Sequence, residues 1–84
     1  MHYVYVLYSF KKREIYTGYS KNLKQRIKQH LKGEVKSTKY KLPIELIYYE
    51  AYKDKRDATK REYFFKSGRG KELLKSLLIY SMPR

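Results

Sequence analysis

The chain contains no cysteine and no tryptophan, four glycines, two prolines, and only eight acidic residues in a length of 84. Without cysteine there is neither a disulfide framework nor a thiolate zinc site, and a reducing, cytoplasmic compartment is the expected one. No apolar run approaches the roughly 20 residues that a bilayer-spanning helix needs. The opening MHYVYVLYSF is too short for that and follows no basic segment, so neither a signal peptide nor a membrane span is expected. There is no internal repeat and no linker-like stretch, so residues 1–84 read as one small domain. Such a domain buries a modest core and has a thin margin of stability.

Positive charge and tyrosine are what the chain has in excess. Twenty-one Lys and Arg against eight Asp and Glu leave a net charge of +13, and tyrosine occurs eleven times. A field of that size attracts polyanions, of which nucleic acid is the usual one. An anionic membrane surface fits less well, because no segment has the apolar helical face that would anchor it.

Patterning predicts three strands and three helices. Residues 2–9, HYVYVLYS, are dense in Val and Tyr on both alternating sets, which predicts an interior strand. Residues 14–19 form a second strand and residues 44–52, IELIYYEAY, a third. Leu23, Ile27 and Leu31 recur at helical spacing within residues 21–32, with Ser20 as N-cap and Gly33 as the stop. Residues 34–43 read as a polar connector. Asp54 caps a helix over 55–67, SGRG breaks it, and KELLKSLLIY carries Leu73, Leu74, Leu77 and Leu78 along one side of a last helix. The order β-β-α-β-α-α predicts an α+β fold, a small three-stranded antiparallel sheet flanked by helices.

Two tyrosines raise a question of chemistry. If Tyr5 pairs with Gly18 across a hairpin, Leu7 pairs with Tyr16, and Tyr5, Tyr16 and Gly18 share one face. Gly18 would then leave an open space where a phosphate could approach the backbone. On the first helix, Arg26 and His30 lie about 100° and about 60° from Ile27 on one shoulder, while Lys21, Lys24, Lys28 and Lys32 fan over the outer face. An Arg at the core boundary can hold a phosphate bidentately, and a His can move a proton near neutral pH. On the next helix Glu62 interrupts the Ala58–Phe65 stripe. Either it pairs with Lys66, four residues on, or it holds a hard divalent ion, which needs only one or two carboxylates besides water.

Together these residues resemble the GIY-YIG nuclease family, and in particular its short stand-alone bacterial members. YVY at 3–5 stands where the family has GIY, and YTG at 16–18 where it has YIG. SKNLKQRIKQH looks like the family's Arg helix, and KRDATKREYFFK like the helix bearing its metal-binding Glu. VKSTKYKLPIELIYYEAY and GRGKELLKSLL are also similar. The excision-repair nuclease carries a module of the same kind, which suggests DNA repair as a setting. The resemblance implies a site of Tyr5, Tyr16, Arg26, His30 and Glu62, with one Mg²⁺ or Mn²⁺ on Glu62. Gly18, Lys21, Lys24, Lys28, Lys36, Lys39 and Lys66 are the expected nucleic-acid contacts. A tyrosine, Tyr5 before Tyr16, would orient or deprotonate water with its pKa depressed by nearby cations. The chain departs from the pattern at Tyr3, Thr17 and Tyr19, where relatives have Gly, Ile and often Lys, and it has no Asn after Glu62. The expected function is metal-dependent endonucleolytic hydrolysis of nucleic acid, DNA first. The alternative is a nucleic-acid-binding module, for DNA or structured RNA, that keeps the fold without cutting.

Overall fold

Strand β1 (His2–Ser9) is the middle of the sheet, with β2 (Glu14–Ser20) along one edge and β3 (Ile44–Tyr52) along the other, both antiparallel. The computed structural model describes residues 1–83. Between Val6 and Leu7 the pairing slips, because β3 places Tyr48 against Val6 and Leu46 against Leu7 and leaves Ile47 as an extra residue. Such a bulge bends and twists the strand that carries it.

The two apolar sets of β1 serve two cores. Val4 and Val6 pack with Ala58 and Phe65 of α2 (Lys55–Lys66) and with Leu74 of α3 (Gly68–Leu77). On the other face Tyr5 and Leu7 pack with Ile44 and with Leu23 and Ile27 of α1 (Leu23–Leu31). This is why the strand shows no polar alternation. Among the described residues no helix is long and apolar enough to cross a membrane.

Three local expectations are corrected. Ser20 still ends β2, and its hydroxyl closes a turn on the backbone of Asn22. The N-cap of α1 is therefore Asn22, whose Oδ1 accepts from the Gln25 N–H at 3.1 Å. SGRG does not separate two helices by a loop. Ser67 ends α2 and at once caps α3 by accepting from the Gly70 N–H at 3.1 Å, so α3 begins at Gly68. Gly70 is required at that junction, since a Cβ there would strike the Phe64 carbonyl. Of the four leucines expected on one side, Leu74 and Leu78 are buried while Leu73 and Leu77 are 39% and 50% exposed. A helix lying on a flat sheet face buries one narrow i, i+4 row, and the neighbouring row stays outside.

A polar cluster sits at the edge of the α2 core. Glu50 accepts from Arg61 Nε at 2.9 Å and Nη2 at 3.2 Å, and from the hydroxyls of Tyr48 and Tyr52, both at 2.5 Å. Burial alone would raise the Glu50 pKa, but the bonds from Arg61, Tyr48 and Tyr52 outweigh it and hold the carboxyl below its ordinary value. A carboxyl lowered in this way stabilises the fold at neutral pH, and the contribution disappears as pH falls through its folded pKa. Glu50→Ala is expected to cost about 3 kcal/mol, because it strands Arg61 and two phenols without their acceptor. Urea unfolding measures this, and a loss below about 0.5 kcal/mol would reduce the cluster to a surface ion pair.

Candidate active site

The register Tyr5↔Gly18 and Leu7↔Tyr16 brings the two tyrosines to the α1 face of the sheet, as the spacing predicts. Tyr5 is 1% exposed, and its ring and hydroxyl lie across Gly18 in the volume that a Cβ would take. The space expected to admit a phosphate beside Gly18 is thus filled by Tyr5 itself. A large ring opposite a glycine on an antiparallel ladder folds over it and shields its backbone.

From α1, His30 reaches the same hydroxyl. Its Nε2 is 2.8 Å from Tyr5 Oη, and its Nδ1 is 2.6 Å from Thr38 Oγ1. The imidazole stands edge-on to both tyrosine rings, at centroid distances of 5.5 and 5.6 Å. A position about 60° from the centre of the apolar stripe is expected to be half-buried, but His30 and Thr38 are both fully buried. The segment between α1 and β3 closes over the helix shoulder, with Val35 and Thr38 as its inward residues. Burial first, and the Arg26 charge second, lower the His30 pKa to about 4. The ring is therefore neutral at pH 7, with one nitrogen donating and the other accepting.

A histidine whose pKa is lowered on folding binds its proton more readily in the unfolded chain. The resulting stability is complete above the unfolded value of about 6.5 and is lost as pH falls through the interval down to about 4. The expected loss across that window is of the order of 3 kcal/mol for wild type. His30→Gln keeps a buried polar side chain but does not titrate, so its melting temperature should fall less between those limits. Equal acid sensitivity in the two proteins would contradict the assignment.

The remaining groups act on the Tyr5 hydroxyl through their charge. Arg26 donates to Gln29 Oε1 at 3.3 Å and also acts on the Tyr5 hydroxyl. Burial raises the Tyr5 pKa and outweighs Arg26, which lowers it, while Tyr16 and Glu62 raise it further. Arg26 alone therefore does not depress the Tyr5 pKa, and without a bound cation Tyr5 holds its proton. Tyr16 is half-buried, its hydroxyl accepts from Ser37 Oγ at 3.1 Å at an exposed position, and the Lys41 ammonium lies 5.5 Å from its ring centroid. Glu62 belongs to α2, whose buried residues Ala58 and Phe65 pack on the face opposite to α1, yet its charge is felt at Tyr5. Its side chain is 21% exposed and stands 3.2 Å from Lys66 Nζ.

Among the described residues no three His, Asp or Glu side chains gather into a metal cage. The donor set is a single part-exposed carboxylate, which fits Mg²⁺ or Mn²⁺, ions that keep several waters and take phosphate oxygens as further ligands. Of the lysines expected to meet nucleic acid, Lys66 is engaged with Glu62. Lys36 and Lys39 are exposed in the segment before β3, Lys39 lying 4.9 Å from the Tyr40 ring centroid. Lys21, Lys24 and Lys28 are exposed, as expected, and also border a groove between α1 and β3. Sequence reasoning missed Ser37, Thr38 and Lys41. The available signal was the pair of hydroxyls in VKSTKYK, uncharged residues amid lysines.

Comparison with known proteins identifies the family and the fold. Residues 1–75 match the GIY-YIG catalytic domain. A UPF0213 protein of Pediococcus acidilactici is 44% identical over 78 residues, which cover 89% of this chain and 79% of that protein. A UPF0213 protein of Clostridium perfringens is 43% identical over 67 residues, or 79% of this chain and 71% of that one. The solution NMR structure of a UPF0213 protein from Bacillus halodurans superposes with a TM-score of 0.57 at 40% identity, covering 90% of this chain and 83% of that chain. With its register, its helix order and this match over most of its length, the chain belongs to the GIY-YIG family.

Proposed function

We propose that this protein is a divalent-metal-dependent phosphodiester hydrolase that cuts nucleic acid, with DNA as its principal substrate. One observation carries the reading: the buried Tyr5 hydroxyl bonds to His30 and is acted on by Tyr16, Arg26 and Glu62 together. A packed tyrosine needs one hydrogen-bond partner, which His30 supplies. The charges of Arg26 and Glu62 and the second phenol of Tyr16, within electrostatic reach of the same hydroxyl, are more titratable neighbours than packing requires. Glu62 would hold the ion by giving up its bond to Lys66. Once bound, the ion supplies polarisation of a phosphate oxygen and stabilisation of the leaving 3′ oxygen. Arg26 neutralises charge developing at phosphorus. Tyr16, with its hydroxyl at the exposed end of the cluster, orients the attacking water. Tyr5 keeps its proton and donates it to His30 Nε2, while His30 Nδ1–H donates to Thr38. That chain fixes the imidazole tautomer and leaves the Tyr5 oxygen free to accept.

A second reading is a binding module that does not cut. It is favoured by the depth of Tyr5, at 1% exposure, which restricts its access to a substrate. Cleavage of nicked, flapped, branched and single-stranded DNA, assayed with Mg²⁺, with Mn²⁺ and with a chelator, separates the two. Metal-dependent products from at least one substrate are expected. If all substrates survive while binding remains and weakens steeply with salt, the binding module is the correct reading.

A further inference from the structure

Tyr3 stands where the family has glycine, and nothing in the proposed chemistry uses it. Its ring lies on the same face as Tyr5, next to Tyr49, at a centroid distance of 6.0 Å and an interplanar angle of 63°. Tyr49 is the β3 partner of Tyr5 and is 52% exposed, an unusual state for a ring on a sheet face covered by a helix. The two rings, with Ile27 and Leu46, line a groove of about 600 Å³ between α1 and β3. Its rim is cationic: Lys21, Lys24 and Lys28 border it, are exposed, and among the described residues are not paired with a carboxylate.

Helix geometry puts this groove beside the candidate active site. Around Ile27, Arg26 and His30 fall on one shoulder of α1, at about −100° and −60°, while Lys28 and Lys24 fall at about +100° and +60° on the other. The first shoulder faces Tyr5 and Tyr16, and the second borders the aromatic groove. A single helix therefore separates the two, and a ligand crossing it can occupy both.

The chemistry of the lining selects the occupant. Aromatic faces attract the π-face of a nucleobase, and lysines around them attract the backbone that carries it. A base inside a duplex has both faces covered by its neighbours and cannot use such a floor, whereas an unpaired base can. An apolar peptide or a lipid tail would use the rings but gain nothing from three unpaired ammonium groups. We infer that the groove between α1 and β3 binds an unpaired nucleotide through Tyr3 and Tyr49, so that the substrate carries a single-stranded segment beside the bond to be cut. This rests on the nucleic-acid reading of the site.

Binding is measured by fluorescence anisotropy in chelator, so that cleavage plays no part, with a labelled single-stranded oligonucleotide and a blunt duplex of equal length at one salt concentration. Tyr49→Ala is expected to weaken single-strand binding about tenfold and to leave duplex binding within about twofold. Tyr49→Phe keeps the ring and should bind like wild type, as should Tyr63→Ala, which removes a ring 81% exposed on α2. Equal losses for both nucleic acids, or none, would overturn the groove assignment while leaving nucleic-acid binding intact. If wild type bound neither form, the wider reading would fall with it. Titration of wild type with the single strand provides a second readout that does not depend on a variant folding. The ring resonances of Tyr3 and Tyr49 should move upfield with the single strand and stay in place with the duplex, and the absence of that difference also overturns the inference.

Discussion

Glu62→Gln is expected to abolish cleavage while leaving nucleic-acid binding nearly intact. Glutamine keeps the length and shape of the side chain, and Glu62 is part-exposed with a single ion-pair partner, so α2 should fold as before. What it loses is the anionic charge that a hard cation needs. Removing phosphate polarisation and leaving-group stabilisation together takes away roughly 4 kcal/mol, about a thousandfold in rate. Attraction to the polyanion comes from the net charge of +13 and gains slightly when one acid is removed. A secondary sign follows from electrostatics. Glu62 raises the Tyr5 pKa, so its neutralisation should bring the Tyr5 titration down relative to wild type. Cleavage by Glu62→Gln at the wild-type rate in Mg²⁺ would make Glu62 a structural carboxylate, balanced by Lys66 and nothing more.

How much of this was legible in the sequence depends on whether one element or several had to be known. The bounds of β1 and β3 could be read directly, because HYVYVLYS and IELIYYEAY are saturated with residues that prefer a pleated surface. The register matches the supposed pairing of Tyr5 with Gly18, although a slip of two residues would also have kept both tyrosines and Gly18 on one face. Helix ends were off by two or three residues where two capping residues competed, Ser20 with Asn22 and Ser67 with the glycines after it. Tertiary facts were not legible. Local periodicity could not choose between Leu73 and Leu74, because that depends on which row meets Val4 and Val6. Nothing in the local pattern of β3 marks Glu50, and only the arrival of Arg61 from α2 makes it a half-buried acceptor. The candidate site shows the same division. Tyr5, Tyr16, Arg26 and Glu62 were singled out by position together with the family resemblance, and Arg26, Tyr16 and Glu62 each bear on the electrostatics of the Tyr5 hydroxyl. That Thr38 would seal His30, and that burial would outweigh Arg26 at Tyr5, required the packed segment between α1 and β3.

Gly18→Ala should impair the site from within the sheet and decide why a glycine stands there. A Cβ at this position would overlap the hydroxyl and Cζ of Tyr5 and come within 2.8 Å of its Cε2. The far end of a side chain can often give way, but this ring is 1% exposed and confined by Leu7, Tyr16 and His30. Relief therefore requires a shift of the ring or of β2, at the cost of about 1–3 kcal/mol typical of an overfilled core. Either shift disturbs the 2.8 Å bond between Tyr5 Oη and His30 Nε2 and leaves a fully buried imidazole without one of its two partners. A displacement of about 1 Å in a catalytic array costs on the order of a hundredfold in rate. The expected result is a folded protein of lower melting temperature, with turnover reduced about a hundredfold and affinity for nucleic acid unchanged. The division between turnover and affinity is what decides. If glycine were there to let a phosphate approach the backbone, the added methyl would weaken binding at least as much as turnover. Turnover within about threefold of wild type would mean that the position of Tyr5 is not part of the machinery, since a displacement of that size cannot be silent in a group that takes part.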